Sequence, residues 1–275
     1  MSVKKLRVVK RFSGWLWHFG SALAVISSLA CGVDPDASDR SEETILVSVA
    51  VSLSDAIGQV AKAFEQETGV HAVVNTAGSQ VLATQIIKGA QVDVFVSADE
   101  RQMFRTVSAG RVDRGRLVNL LSNQLVIVMP SDRTARISDV EALTDMSIRR
   151  IALGDPDAVP VGVYAKQYLS NVGLWDAVVP KVIPTRSARA VLQAVESGSV
   201  DAGIVYRTDA LTSKTAVVVN VVTSDMGPRI VYPAGVVTNA PNPSGAVEFL
   251  DFIQRPAAQQ LFKRLGFVLL TKPRV

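Results

Sequence analysis

The chain has little of the chemistry that most catalytic and metal sites use. Cys31 is the only cysteine among 275 residues, so an intrachain disulfide and a cysteine-based zinc site are both excluded. His71 is the one histidine beyond residue 18, and no Gly-x-Ser-x-Gly motif accompanies it. A serine-hydrolase triad is therefore not expected. The tyrosines are too scattered to predict a ferric site; they are Tyr164, Tyr168, Tyr206 and Tyr232.

The first 30 residues have the pattern of an export signal. Five basic residues precede a stretch, Phe12 to Ala30, that carries no Lys, Arg, Asp or Glu and ends in small residues. A basic N-terminal region, an apolar core and a cleavage site of small residues are typical of a signal peptide. A membrane anchor is the alternative, since roughly 18 apolar residues can span a bilayer, but polar residues interrupt this run. We predict a signal peptide over residues 1–30 and an exported protein, periplasmic or on the outer face of the membrane.

Residues 31–43 are predicted to form a tether. Five acidic residues and one arginine fill the polar stretch after Cys31, a composition that does not support a packed core. Leu29-Ala30-Cys31 resembles the lipobox of bacterial lipoproteins, although Ser28 stands where that motif usually has leucine. We therefore expect Cys31 to carry a lipid and the membrane to be contacted only through it. A chance small residue beside a cleavage site is the alternative.

Without the signal the chain is nearly neutral. Residues 1–30 hold five of the 29 basic residues and none of the 25 acidic ones, which leaves 24 basic against 25 acidic residues. The sequence pI of about 9.3 thus belongs to the signal. No basic surface for nucleic acid is expected. The roughly 230 remaining residues suit two lobes of ordinary size.

Apolar runs and helical periodicity alternate along the rest of the chain. Such an order predicts an α/β fold, with parallel strands in the first part and helices on both faces. We predict two lobes with mixed sheets and a ligand cleft between them, residues 44–122 plus 232–275 and residues 123–231. Predicted strands cover 45–51, 70–76, 92–97, 125–129, 151–153, 181–183, 203–206, 216–222 and 230–237. Predicted helices cover 54–68, 80–88, 99–108, 162–170, 188–197, 243–253 and 257–265.

Several strand-to-helix turns have the composition of an anion site. Ser52 and Ser79 each stand between a predicted strand and a predicted helix, and Pro160-Val161-Gly162 opens another helix. A helix start exposes unpaired N–H groups and a partial positive charge, so several converging starts can bind an anion. Helix capping is the simpler interpretation of one such serine. Two serines at neighbouring carboxyl ends of strands favour a binding site.

Two further positions are candidates for the same site. Thr185-Arg186-Ser187-Ala188 precedes a predicted helix, and Tyr206 ends the apolar run Gly203-Ile204-Val205-Tyr206. The simpler interpretation of Tyr206 is a packing residue, because a tyrosine at a strand end usually buries its ring and leaves its hydroxyl in contact with solvent. No general base accompanies any of these segments, so the pattern favours a binding protein over an enzyme, and we expect no catalytic residue and no cofactor.

The chain from about residue 44 onward resembles the periplasmic molybdate-binding proteins of ABC importers. The resemblance depends on five segments in the same order, of which the third is the most specific. They are Ala50-Val51-Ser52-Leu53-Ser54-Asp55-Ala56, Val92-Asp93-Val94-Phe95-Val96-Ser97-Ala98-Asp99, Gly154-Asp155-Pro156 through Val159-Pro160-Val161-Gly162-Val163-Tyr164-Ala165-Lys166, Gly203-Ile204-Val205-Tyr206 and Phe262-Lys263-Arg264-Leu265-Gly266-Phe267.

This resemblance implies the two-lobed type II periplasmic-binding fold and a neutral site for molybdate or tungstate. Ser52 and Ser79 would donate from hydroxyl and N–H, Val161 and Ala188 from N–H, and Tyr206 from its hydroxyl. The metal would be held through its oxygens only. Val161 replaces a common alanine, and the neighbours of Ala188 match poorly. The resemblance further implies an ABC permease and its ATPase as partners, and we expect a monomer. A receptor for sulfate, another oxyanion or a small organic anion is the alternative.

Overall fold

The structure, a computed structural model, describes residues 43–132, 139–223 and 225–270. The predicted signal peptide, Cys31 and all of the predicted tether except Glu43 lie outside these residues. The described residues all lie in one compact unit. No helix in the described ranges is both long enough and apolar enough to cross a membrane.

The described residues form eleven strands in two sheets. The strands are β1 (Thr44–Ala50), β2 (His71–Ala77), β3 (Val94–Val96), β4 (Val112–Ser122), β5 (Leu125–Pro130), β6 (Ile151–Gly154), β7 (Val182–Thr185), β8 (Ala202–Tyr206), β9 (Ala216–Val221), β10 (Tyr232–Val237) and β11 (Val268–Leu269). The first sheet has the order β11-β4-β10-β3-β1-β2 and the second β7-β6-β8-β5-β9. Both contain parallel and antiparallel pairs, which confirms the predicted mixed sheets.

Helices connect and cover the strands. They are α1 (Ser54–Thr68), α2 (Ser79–Ile87), α3 (Glu100–Ser108), α4 (Pro160–Asn171), α5 (Trp175–Val178), α6 (Ala188–Glu196), α7 (Arg207–Ala210), α8 (Pro243–Phe252) and α9 (Pro256–Arg264). For the helices of nine or more residues, the sequence predicts both ends to within two residues. Helices α5 and α7 have only four residues each, which is too few for a helical pattern of apolar residues to be recognised. The short 3-10 turn Val51–Leu53 leads from β1 into α1.

Local sequence explains why these elements form. In α1 the buried side chains recur at helical spacing, from Ala56 and Ile57 to Phe64. The helix ends at Gly69, whose φ of 77° is a left-handed conformation that glycine adopts without steric cost. Phe64 packs edge-on against Phe249 of α8, with ring centroids 5.2 Å apart. This contact joins α1 to α8, and α1 also packs against strands β1 and β2 of the first sheet.

Strand β4 is the main element that the sequence patterns do not predict. Its first half carries Asp113, Arg114, Gly115 and Arg116, a polar stretch with a glycine that is unfavourable in strands. Pairing with β10 includes two register shifts. The strand is thus held by its neighbours and not by an alternating pattern of its own.

The topology brings the carboxyl ends of several strands together. β1 lies between the parallel strands β2 and β3, so the segments that follow these three strands meet at one edge of the first sheet. In the second sheet β6 runs parallel to β7 and β8, and the segments after them meet in the same way. The strands of the first sheet fall within 44–122 and 232–269 and those of the second within 125–221. The exact lobe boundaries stay a prediction.

Candidate functional site

A small cavity collects all five residues that the sequence singles out. Ser52 and Ser79 come from the first-sheet side, and Val161, Ala188 and Tyr206 from the second-sheet side. The complete lining is Ala50, Val51, Ser52, Gly78, Ser79, Ala98, Val159, Pro160, Val161, Ser187, Ala188 and Tyr206. These residues follow, or end, strands β1, β2, β3, β6, β7 and β8, which is where ligands bind in open α/β sheets.

Ser52 lies in the turn between β1 and α1 and is buried. The N-cap of α1 is Leu53, without a side-chain cap, so Ser52 is not a capping residue. Its hydroxyl contacts the hydroxyl of Tyr232. Burial raises the pKa of Tyr232 well above 10, and its hydrogen bonds to Asn123 and Ser52 oppose this rise.

The contact with Tyr232 orients the Ser52 hydroxyl. Asn123 donates from Nδ2 to the Tyr232 hydroxyl oxygen at 3.0 Å and to Thr208 Oγ1 at 2.8 Å. Asn123 thus holds in place the Tyr232 hydroxyl that contacts Ser52.

Ser79 is the first residue of α2 and is 1% exposed. Its Oγ accepts a hydrogen bond from the N–H of Ala98 at 2.9 Å, so this serine does not cap its helix either. Gly78 precedes it, and a Cβ there would come within 3.0 Å of the Arg186 carbonyl oxygen. The glycine therefore permits the close approach of the Arg186 segment at the edge of the cavity.

Val161 supplies a backbone donor at the start of α4. Pro160 has no N–H, and the N–H groups of Gly162 and Val163 both donate to the Val159 carbonyl at 2.9 Å. The N–H of Val161 is thus left for an outside acceptor. A Cβ on Gly162 would lie 2.0 Å from the Gly154 carbonyl oxygen, so only glycine lets this turn sit on the end of β6.

Ala188 is the first residue of α6 and also lies in an unpaired first turn. Ser187 is the N-cap, and its Oγ accepts from the N–H of Ala190 at 3.2 Å. The N–H of Ala188 precedes that capped group and, as a first-turn donor, has no acceptor inside the helix. Ser187 therefore stabilises the helix start, while Ala188 presents its N–H at the cavity.

Tyr206 is the last residue of β8 and is 1% exposed, so its hydroxyl is not wet. Burial, followed by the nearby Tyr232, raises the pKa of Tyr206 well above 10, which keeps the hydroxyl protonated at neutral pH. In the part of the chain that the structure describes, this hydroxyl has no hydrogen-bond partner. A buried unpaired hydroxyl is costly, which is typical of a group that a ligand satisfies.

The cavity is small and carries no formal charge. Its lining contains no Lys, Arg, Asp or Glu, and its volume is about 20 Å³. One water molecule needs about 10–15 Å³ by this measure, whereas sites for drug-sized ligands measure about 300–1,000 Å³. The described residues also include no cluster of His, Cys, Asp or Glu that could hold a metal ion directly. The arrangement can therefore bind a small acceptor-rich anion through neutral donors.

Asn123 and Tyr232, which hold Ser52 in place, are not predicted from the sequence. Asn123 and Tyr232 stand 109 positions apart and meet only in the fold, so no local motif identifies them. His71, the histidine considered for a triad, begins β2 and pairs through Nδ1 with Glu65 at 3.0 Å. The two ends of this seven-residue strand are roughly 20 Å apart at 3.3 Å per residue. Ser79 follows the end opposite His71, so the two side chains are too far apart to form part of a triad.

Comparisons with known proteins identify the family of the chain. The family model for bacterial extracellular solute-binding proteins matches residues 45–268. The molybdate-binding protein ModA of Escherichia coli is 36% identical over 232 residues, which are 83% of this chain and 90% of that protein.

Solved structures show the same fold. The periplasmic molybdate-binding protein of Azotobacter vinelandii aligns with a TM-score of 0.74 and 22% identity, over 82% of this chain and all of that one. The sulfate-binding protein SubI of Mycobacterium tuberculosis aligns with a TM-score of 0.75 and 19% identity, over 83% of this chain and 88% of that one. The chain belongs to the family of bacterial extracellular solute-binding proteins that includes the molybdate-binding protein ModA.

Proposed function

We propose that this protein captures molybdate outside the cytoplasm and delivers it to an ABC importer. The observation that carries the proposal is the convergence of Ser52, Ser79, Val161, Ala188 and Tyr206 on one cavity without formal charge. The similarity to molybdate-binding ModA over most of the chain supports the same conclusion.

The donor set suits a fully deprotonated oxyanion. Hydroxyl groups of Ser52, Ser79 and Tyr206 and N–H groups at the starts of α2, α4 and α6 can all donate to oxygen. Helix N-termini supply a favourable field for negative charge without a lysine or arginine in contact. The O–H group of a protonated competitor would face another donor and could not form a hydrogen bond with it. The site therefore favours an anion whose oxygens are all acceptors.

Size is the remaining basis for selectivity. Sulfate has the charge and the tetrahedral shape of molybdate but is smaller, and tungstate is nearly the same size as molybdate. We therefore expect tungstate to bind nearly as well and sulfate to bind more weakly. The cavity volume of about 20 Å³ argues against sugars and amino acids as ligands.

Binding would be coupled to closure of the protein. The donors come from both sheets, so an anion that bridges them stabilises the closed arrangement. The closed form would then be recognised by a membrane permease driven by its ATPase, with the protein acting as a monomer and without catalysis. Export through residues 1–30 and a lipid on Cys31 would keep it at the outer face of the membrane.

Calorimetric titration of the purified protein tests the proposal. Molybdate and tungstate are expected to bind tightly at a 1:1 ratio at neutral pH, also in excess sulfate. Sulfate that binds more tightly than molybdate would reassign the protein to another oxyanion. No heat with any of the three anions would refute the oxyanion site.

A further inference from the structure

Arg189 connects the two sides of the cavity without lining it. Its Nη2 pairs with Oδ2 of Asp55, which lies in the first turn of α1 on the first-sheet side. On its own side, Arg189 Nε lies 2.9 Å from Oδ1 of Asp209 in α7, and Nη1 donates to Thr212 Oγ1 at 3.2 Å. One guanidinium thus contacts two carboxylates, one in α1 on the first-sheet side of the cavity and one in α7 on the second-sheet side.

The two carboxylates differ strongly in exposure. The side chain of Asp209 is fully buried, whereas that of Asp55 is 59% exposed and that of Arg189 is 30% exposed. The Arg189 guanidinium, with Nε 2.9 Å from Oδ1, is the cation that faces the buried Asp209 carboxyl group. A fully buried carboxyl group that loses its partner is destabilising whether or not it is ionised. Asp209 therefore anchors Arg189, and the contact that can break is the one with Asp55.

This ion pair lies directly beside the proposed ligand donors. Arg189 follows Ala188 in α6, and Asp55 stands three residues after Ser52. Helix α6 packs against the Val51–Leu53 turn, which carries Ser52. The Asp55–Arg189 contact therefore joins the two segments that carry the Ser52 and Ala188 donors.

We propose that Arg189 is a positioning residue for ligand capture, because its ion pair with Asp55 holds the two halves of the donor set together around the anion. This inference rests on the proposed function. Arg189 does not contact the ligand, and Asp209 fixes the guanidinium in place for Asp55. Opening of the cavity must break the Asp55 contact, so its loss acts chiefly on the dissociation rate.

Asp55→Asn is the variant that tests this role. It removes the exposed carboxylate and leaves the Arg189–Asp209 pair intact, so the fold is retained. Molybdate Kd is expected to rise about two- to fivefold, the range of an exposed ion pair, mostly through faster dissociation in stopped-flow measurements. Asp55→Lys, which replaces attraction by repulsion, should raise Kd further, and Asp55→Glu should restore much of the affinity.

Glu67→Gln is the matched control. Glu67 lies on the same helix, is 58% exposed and pairs with Arg255 on the same side of the cavity. Its loss removes an ion pair of similar exposure that does not cross between the sheets, so Kd should not change. Equal Kd values for Asp55→Asn and the parent, or an equal effect of Glu67→Gln, would overturn the inference.

Small-angle X-ray scattering of the ligand-free variants separates this inference from the proposed function. If the parent binds no molybdate, the proposed function fails, and scattering alone decides the role of Arg189. A larger radius of gyration for Asp55→Lys than for the parent and Glu67→Gln supports the cross-sheet role. Identical radii in that case contradict it.

Discussion

The Oγ of Ser79 accepts a hydrogen bond from the N–H of Ala98 at 2.9 Å. A hydroxyl whose oxygen is already used as an acceptor by a fixed backbone donor has its own hydrogen available for another group. Ser79 and Ala98 both line the cavity, where the other hydroxyl groups and helix starts converge. The bond therefore sets the direction in which this serine can donate.

Ser79→Ala should weaken molybdate binding by about 1.5–3 kcal/mol, the value of a hydrogen bond to a charged group. In a calorimetric titration this corresponds to a Kd increase of at least tenfold. Asn242→Ala is the control, since the Asn242 side chain caps α8 and does not line the cavity. The control should cost about 1 kcal/mol of stability and leave Kd nearly unchanged. If both variants bind like the parent, Ser79 is not a ligand residue.

Tyr206→Phe should separate binding from stability. The Tyr206 hydroxyl is buried and has no partner in the described part of the chain, so its removal should leave the ligand-free protein as stable as the parent, or more stable. Molybdate binding should weaken at least tenfold, because the variant lacks one donor. Urea unfolding and titration of the same preparation measure the two effects. A loss of stability with unchanged Kd would mean that Tyr206 is only a packing residue.

Tyr232→Phe should show a different pattern. The Tyr232 hydroxyl has partners in Asn123 and Ser52, so its loss should cost about 1 kcal/mol of unfolding free energy. It should also weaken binding several-fold, because Ser52 loses the contact that orients it. Asn123→Ala should have the same two effects. Unchanged affinity in both variants would show that Ser52 is oriented by other means.

Asp209 should make stability depend on pH. Burial raises the pKa of Asp209 from 3.8 to about 7, while Arg189 opposes the rise. Between these two values the folded state binds more protons than the unfolded state, so the free energy of unfolding should fall as pH rises from about 4 to about 7. The contribution is fully present below pH 4 and lost above pH 7.

Comparison with Asp209→Asn isolates this effect from the other carboxyl groups. The difference in unfolding free energy between parent and variant should change steadily across pH 4–7 and level off above it. A difference that does not vary with pH would mean that Asp209 keeps an ordinary pKa in the folded protein.

Much of the fold follows from local patterns, and the reasons are physical. Helix α1 has the predicted bounds because its apolar spacing and the glycine after it act within the segment itself. Ser52 and Ser79 could be selected because parallel neighbouring strands bring their carboxyl ends to one edge. In contrast, β4 depends on pairing with β10, and its polar first half carries no strand pattern.

The parts of the site that the sequence does not predict all depend on contacts between distant segments. Asn123 meets Tyr232 between the two sheets, and Arg189 meets Asp55 from 134 positions away. Neither pair has a spacing or composition that marks it. The capping interpretation of Ser52 and Ser79 was also open from sequence alone, since only the fold shows that Leu53 and Gly78 occupy the N-cap positions.

A crystal structure of the molybdate complex, with data collected at the molybdenum absorption edge, tests the proposed site and ligand together. The anomalous signal should place one molybdenum atom in the cavity, with its oxygens within hydrogen-bond distance of the hydroxyl groups of Ser52, Ser79 and Tyr206 and of the N–H groups of Val161 and Ala188. Molybdenum bound elsewhere, or contacting lysine or arginine side chains instead of these donors, would contradict the proposal.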